Sequence, residues 1–212
     1  MIRGYHVGTM KQLKQRFGSI YSDDEERVLG PWQRIRQLFL APIAAVLSRL
    51  GISPDMLSFT SVALGIGFFL LAPFQFTVAF WLLVASIICD SLDGVEARLK
   101  RTNTPRGAFT DMFCDQVVVA FTVAGMVWRG SINPVLAILF VYVYTALVIF
   151  LMLHRMLQVS SHWIVRPSRM LLYAAIALDF FFGIDLLNLL LTIYLLAFPL
   201  LALSFWRLRK AL

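Results

Sequence analysis

Four aspartates stand where the chain is otherwise apolar. Between Asp90 and Asp115 it reads DSLDGVEARLKRTNTPRGAFTDMFCD, preceded by WLLVASIIC and followed by QVVVAFTVAGMVW. The acids therefore fall at or inside the edge of a membrane. A charged side chain at the centre of a membrane helix costs roughly 2.5 to 3.5 kcal/mol, so four deeply placed acids without a partner would cost about 10 kcal/mol. That rivals the stability of a whole domain, roughly 5 to 15 kcal/mol. Something cationic has to offset them.

Asp90 and Asp93 are three residues apart and Asp111 and Asp115 four apart, so each pair projects from one face of a helix. Two such faces brought together make a pocket of four carboxylates. Oxygen ligands of high negative charge suit the hard cations Mg²⁺ or Mn²⁺; no cluster of Cys or His is present to favour zinc. Such a pocket has ligands enough for two ions. Gly94 lies one turn beyond Asp90 and Ala97 one turn beyond Asp93, which leaves the neighbouring surface nearly bare of side chains. Gly107 clears space in the same way one turn before Asp111. Arg98 offers a planar, permanently charged fork suited to phosphate. Internal salt bridging as the sole role of the acids is set aside because Arg98 is the one cation nearby in the apolar frame.

The spacing D-x2-D-G-x2-A-R-x8-G-x3-D-x3-D resembles in full the signature of the CDP-alcohol phosphotransferase family. Those integral membrane enzymes displace CMP from a CDP-linked donor with the hydroxyl of an acceptor alcohol, making phospholipids. The resemblance implies a two-metal site with Asp90, Asp93, Asp111 and Asp115 as ligands, Asp115 serving also as general base. It also implies that Gly94, Ala97, Arg98 and Gly107 hold the CDP-linked donor, and that the enzyme is a homodimer. The stretch LSRLGISPDML is similar to the family's interfacial helix followed by a Pro-Asp turn. By that likeness Asp55 and Ser58 touch the donor's nucleotide or phosphates. The residues also admit a purely structural reading, Ser53 as helix cap with Pro54 at the first helical position.

The chain has 212 residues, 59% of them hydrophobic, and a mean hydropathy of +0.78, too apolar for a soluble domain of this size. Apolar runs at roughly 55–74, 76–97, 108–128, 132–153, 168–184 and 186–206 are each near the length that spans a bilayer. They predict an all-α integral membrane protein: six transmembrane helices forming a catalytic domain over residues 53–212, preceded by an interfacial amphipathic helix over 31–52. Residues 1–30 read as a cytoplasmic N-terminal extension. Pro73, Pro105, Gly130 to Pro134, Pro167 and Gly183 with Asp185 punctuate the spans. Eighteen of the nineteen lysines and arginines then fall on one side, and only Arg129 on the other. By the positive-inside rule both termini and the aspartates face the cytoplasm. The net charge of +7 follows these flanks instead of forming an aromatic-studded patch, which favours anionic membrane lipids over nucleic acid. Cys89 and Cys114 read as small buried hydrophobes.

Between the fourth and fifth spans, His154, Arg155, His162, Arg166 and Arg169 gather on the cytoplasmic side. Arg155, Arg166 and Arg169 are candidates to bind an anionic acceptor, or to serve as ordinary positive-inside anchors. The runs RPSR and RLGISPD look most like prokaryotic phosphatidylinositol phosphate synthases, although Gln116 stands where that branch often has Arg. Inositol phosphate, glycerol phosphate and other polar alcohols stay open as acceptors. The alternatives are a CDP-choline or CDP-ethanolamine type of phosphotransferase acting on a lipid alcohol and, in a different class, a cation-coupled transporter. The latter would be expected to show broken helices near the midplane.

Overall fold

The computed structural model describes residues 38–99, 104–157 and 167–211, and every described element is helical. In chain order these are α1 (Leu38–Arg49), α2 (Pro54–Leu71), α3 (Phe76–Leu99), α4 (Pro105–Trp128), α5 (Pro134–Met156), α6 (Pro167–Phe182), α7 (Leu187–Tyr194) and α8 (Phe198–Ala211). A 3-10 turn, Leu195–Ala197, joins the last two. Residues 1–30 lie outside the described part, as does the expected interfacial helix before Leu38.

Helix starts follow the local chemistry. Proline opens α2, α4, α5 and α6, where its missing N–H has no partner to lose. The hydroxyl of Ser53 accepts from Met56 N at 3.3 Å, that of Thr104 from Gly107 N at 3.1 Å, and Asn133 Oδ1 from Val135 N at 2.9 Å. Gly130 (φ +85°) and Gly183 (φ +65°) end α4 and α6 in the left-handed conformation that favours glycine.

Among the described residues five segments are long and apolar enough to cross a membrane: α2, α3, α4, α5 and the α7–α8 segment Leu187–Lys210. The molecule is an all-α integral membrane protein. The expected fifth span, 168–184, is present as α6 but has only 16 residues, about 24 Å of rise against a hydrocarbon core of roughly 30 Å. The expected sixth span passes through the 3-10 turn Leu195–Ala197 just before Pro199. With no N–H to return to Leu195, the proline leaves the 3-10 turn just before it.

Glycine sets how closely α2 and α4 approach. A Cβ at Gly125 would lie 3.0 Å from the Phe68 ring and 3.1 Å from the Phe69 Cα; one at Gly65 would lie 3.3 Å from a Val118 methyl. Larger residues would push the helices apart, the usual reason for small residues at membrane helix interfaces. Ser61 and Ser86 share a hydroxyl contact at 2.9 Å, and Ser86 also donates to the Ser61 carbonyl at 2.8 Å, joining α2 to α3. Phe68, Leu83, Met126, Phe140 and Ile176 are buried in the main core, while Ala44 of α1 packs with Leu57, Leu92 and Val95 in a smaller one. Elsewhere α1 leaves Leu38, Phe39, Ile43 and Val46 exposed. Exposed Trp81, Ile138, Leu196 and Trp206 likewise continue an apolar outer surface that belongs against lipid.

Candidate active site

The two acidic pairs meet because α3 and α4 both pack against α2 with their acids at the same end of the bundle. Carboxylate oxygens of Asp90, Asp93 and Asp111 lie within 4.8 Å of one another. Three ionised carboxylates that close repel by at least about 3 kcal/mol per pair at an effective dielectric near 20, and a divalent cation between them reverses the sign of that sum. All-oxygen donors with a site edge left for water or phosphate fit a magnesium-like ion. The set therefore fits a divalent cation.

Ser58 of α2 donates to Asp93 Oδ2 at 2.6 Å, both residues being about 4% exposed. A hydrogen bond from the neighbouring shell holds a carboxylate in one orientation, which is how metal ligands are commonly aimed. Expected as a donor-contacting residue, Ser58 has its proton committed to Asp93. Asp55 sits in the first turn of α2, where a negative charge suits the helix dipole. Gly94 and Ala97 follow the acids on α3 as the spacing predicts. Gly107 has open space beside it, a Cβ there meeting only the Thr104 hydroxyl at 3.4 Å.

Asp115 adjoins this trio at Asp90. It pairs with Arg169 of α6, whose second guanidinium nitrogen reaches Asp90 Oδ2 at 3.1 Å. All three side chains are 13 to 14% exposed. This corrects the expectation that Arg98 is the one cation near the acids: Asp90 and Asp115 are ion-paired by an arginine 79 and 54 residues away along the chain. Of the three arginines singled out as acceptor ligands, Arg169 reaches the acids, Arg166 lies outside the described residues, and so do the side chains of Arg155 and Arg98. His154 is fully buried, its Nε2 2.7 Å from Ser204 Oγ, where it joins α5 to α8; His162 lies outside the described residues. Gln116 Oε1 accepts from Thr145 at 3.0 Å and ties α4 to α5 beside Asp115.

The contacts of Ser58 with Asp93 and of Arg169 with Asp90 and Asp115 were not to be found in the sequence. Nothing local ties Ser58 to an acid 35 residues on, or says that α6 folds back over α3 and α4.

Comparison with known proteins bears on this arrangement. A family model described as CDP-alcohol phosphatidyltransferase matches residues 51–205. Two CDP-diacylglycerol–serine O-phosphatidyltransferases from strains of Helicobacter pylori are 43% and 42% identical over 72 residues, 34% of this chain; the match spans only 30% of their length. Among solved structures, phosphatidylinositol phosphate synthase of Mycobacterium tuberculosis with CDP-DAG bound superposes with a TM-score of 0.62 at 19% identity, over 84% of this chain and 94% of that one. The same synthase in complex with manganese and citrate gives 0.62 at 18% identity, over 81% and 88%. At that identity the likeness is one of fold.

Proposed function

The chain belongs to the CDP-alcohol phosphatidyltransferase family, and on that premise we propose that it transfers a phosphatidyl group from CDP-diacylglycerol to the hydroxyl of a polar alcohol. The observation that carries this reading is the convergence of Asp90, Asp93 and Asp111 beside an Asp115 held by Arg169.

In this reading the four aspartates hold two Mg²⁺ or Mn²⁺ ions, which when bound supply neutralisation of the pyrophosphate and of the departing CMP. Gly94, Ala97, Arg98 and Gly107, with Asp55 at the start of α2, receive the CDP moiety. Ser58 keeps Asp93 aimed. Asp115 takes the proton from the acceptor hydroxyl as its oxygen forms the new bond to phosphorus, and the pyrophosphate bond breaks to release CMP. Arg169, next to the base, presents a cation to an anionic acceptor, and Arg155 and Arg166 are further candidate ligands for it. The placement of eighteen of nineteen basic residues supports a cytoplasmic site and cytoplasmic termini, with the exposed apolar residues of α1 lying in the interface. A homodimer completes the reading.

Inositol phosphate and glycerol phosphate are the acceptors favoured by an arginine in the site. Serine is a second reading, favoured by the identity with the Helicobacter pylori enzymes; its carboxylate would meet the same guanidinium.

The test is CMP release by the full chain in detergent with Mn²⁺ and CDP-diacylglycerol, against inositol phosphate, glycerol phosphate, serine, inositol and no acceptor. One acceptor should support release, and Asp115→Asn should reduce it at least about 100-fold while donor binding survives. Equal loss of donor binding would make Asp115 chiefly a ligand. Release with none of the panel would overturn the acceptor classes named.

A further inference from the structure

At the far end of the bundle the same three helices meet around a second arginine. Arg129, immediately after α4, donates to Asp179 of α6 at 2.6 Å and to Ser131 at 2.8 Å. Its guanidinium carbon lies 3.7 Å from the centroid of the Phe76 ring, the first residue of α3. Phe180, next to Asp179, stacks on Phe80 of α3 with centroids 4.0 Å apart and planes 7° from parallel. So α3, α4 and α6 are joined here by Arg129–Asp179 and at the other end by Arg169 with Asp90 and Asp115. The junctions are about 21 Å apart along α3 and α4, fourteen residues in each, and about 15 Å apart along α6.

This matters because polar contacts at its two ends tie α6 along its axis, here and where Arg169 meets the acids and Ser168 bonds Tyr194. Its 16 residues fall short of the bilayer, so hydrophobic length does not set its depth. Apolar contact is also a weak brake on axial sliding, since lipid tails replace a neighbouring helix at little cost. A directional ion pair with a cation–π contact is not replaced by lipid.

We propose that Arg129 and Asp179 are positioning residues: they set the axial register of α6 and thereby the reach of Arg169 to Asp90 and Asp115. The kinetic consequence rests on the reaction proposed above; the register itself does not.

Two readouts separate the two. In the full chain, Asp179→Asn is compared with wild type, alone and combined with Arg169→Gln. CMP release is followed as donor and acceptor are varied separately. A matching pair of chains, with Cys89 and Cys114 changed to Ala and Leu171 and Phe113 changed to Cys, carries spin labels whose separation is read by pulsed EPR. Leu171 and Phe113 are exposed residues on α6 and α4 near the site. With the clamp broken, kcat/KM for the acceptor should fall about tenfold, the donor KM should hold within about twofold, and the label distance should shift or broaden. In the Arg169→Gln background Asp179→Asn should add nothing. An unchanged distance overturns the proposal, as does an equal kinetic loss in both backgrounds or a loss spread evenly over donor and acceptor. If wild type releases no CMP with any acceptor, the reaction reading falls and the label distance alone decides the clamp. Should Asp179→Asn not fold, Asp179→Glu, which keeps the charge on a longer stem, is read in the same way.

Discussion

The two ends of the bundle each hold an arginine among aspartates on α3, α4 and α6, and they are balanced differently. At one end Arg129 meets Asp179 alone, with Ser131 and the Phe76 ring filling the rest of its coordination. Charge sums to zero and the junction is complete as it stands. At the other end Arg169 stands against four carboxylates and contacts two of them. Among the described residues one guanidinium stands against these four carboxylates, and the oxygens of Asp90, Asp93 and Asp111 converge within 4.8 Å. The first arrangement holds helices together; the second fits a divalent cation and is where ligands would be expected.

If that contrast is right, the unbalanced end should be the one that metal controls. Chelation with EDTA, or Asp93→Asn or Asp111→Asn, should abolish CMP release and the binding of Mn²⁺ followed by EPR, with the helical circular dichroism intact. Mn²⁺ affinity that survives loss of both carboxylates would break the comparison. A smaller effect should follow from Ser58→Ala, which removes the hydrogen bond aiming Asp93. Losing such an outer partner costs metal sites about 10- to 100-fold in affinity or activity, so a Mn²⁺ titration should weaken by about tenfold with the thermal midpoint nearly unmoved. A fall in midpoint without change in Mn²⁺ affinity would make Ser58 a packing residue. The smallest effect belongs to Ser61→Ala, at a buried hydroxyl pair about one helical turn from Ser58 and Asp90. Interhelical hydrogen bonds in membranes average about 0.6 kcal/mol, so unfolding should shift by about that much and kinetics not at all. A kinetic change there would mean that the α2–α3 contact also aims the acids.

Much of this was legible along the chain. The acid pairs three and four residues apart could only share helix faces, and Ser53, Thr104 and the prolines at 54, 105, 134 and 167 marked where helices begin, because caps and periodicity depend on neighbours within one or two turns. The motif spacing disclosed the family, since each of its eight positions is read within one stretch of chain. The end of α6 was legible as well: the expected run 168–184 is punctuated by Gly183, which closes the helix after Phe182 in the left-handed conformation.

What the sequence by itself determined, then, is an all-helical membrane protein with an acidic motif at one end, because helix propensity, hydropathy and spacing are local properties. Only the tertiary structure decided which cation meets which acid. Ser58 is 35 residues from Asp93, Arg129 is 50 from Asp179, and Arg169 is 79 from Asp90. Contacts across such separations follow from how whole helices cross, through packing at Gly65 and Gly125 and the polar junctions at both ends of α6, and no periodicity within a single segment encodes them.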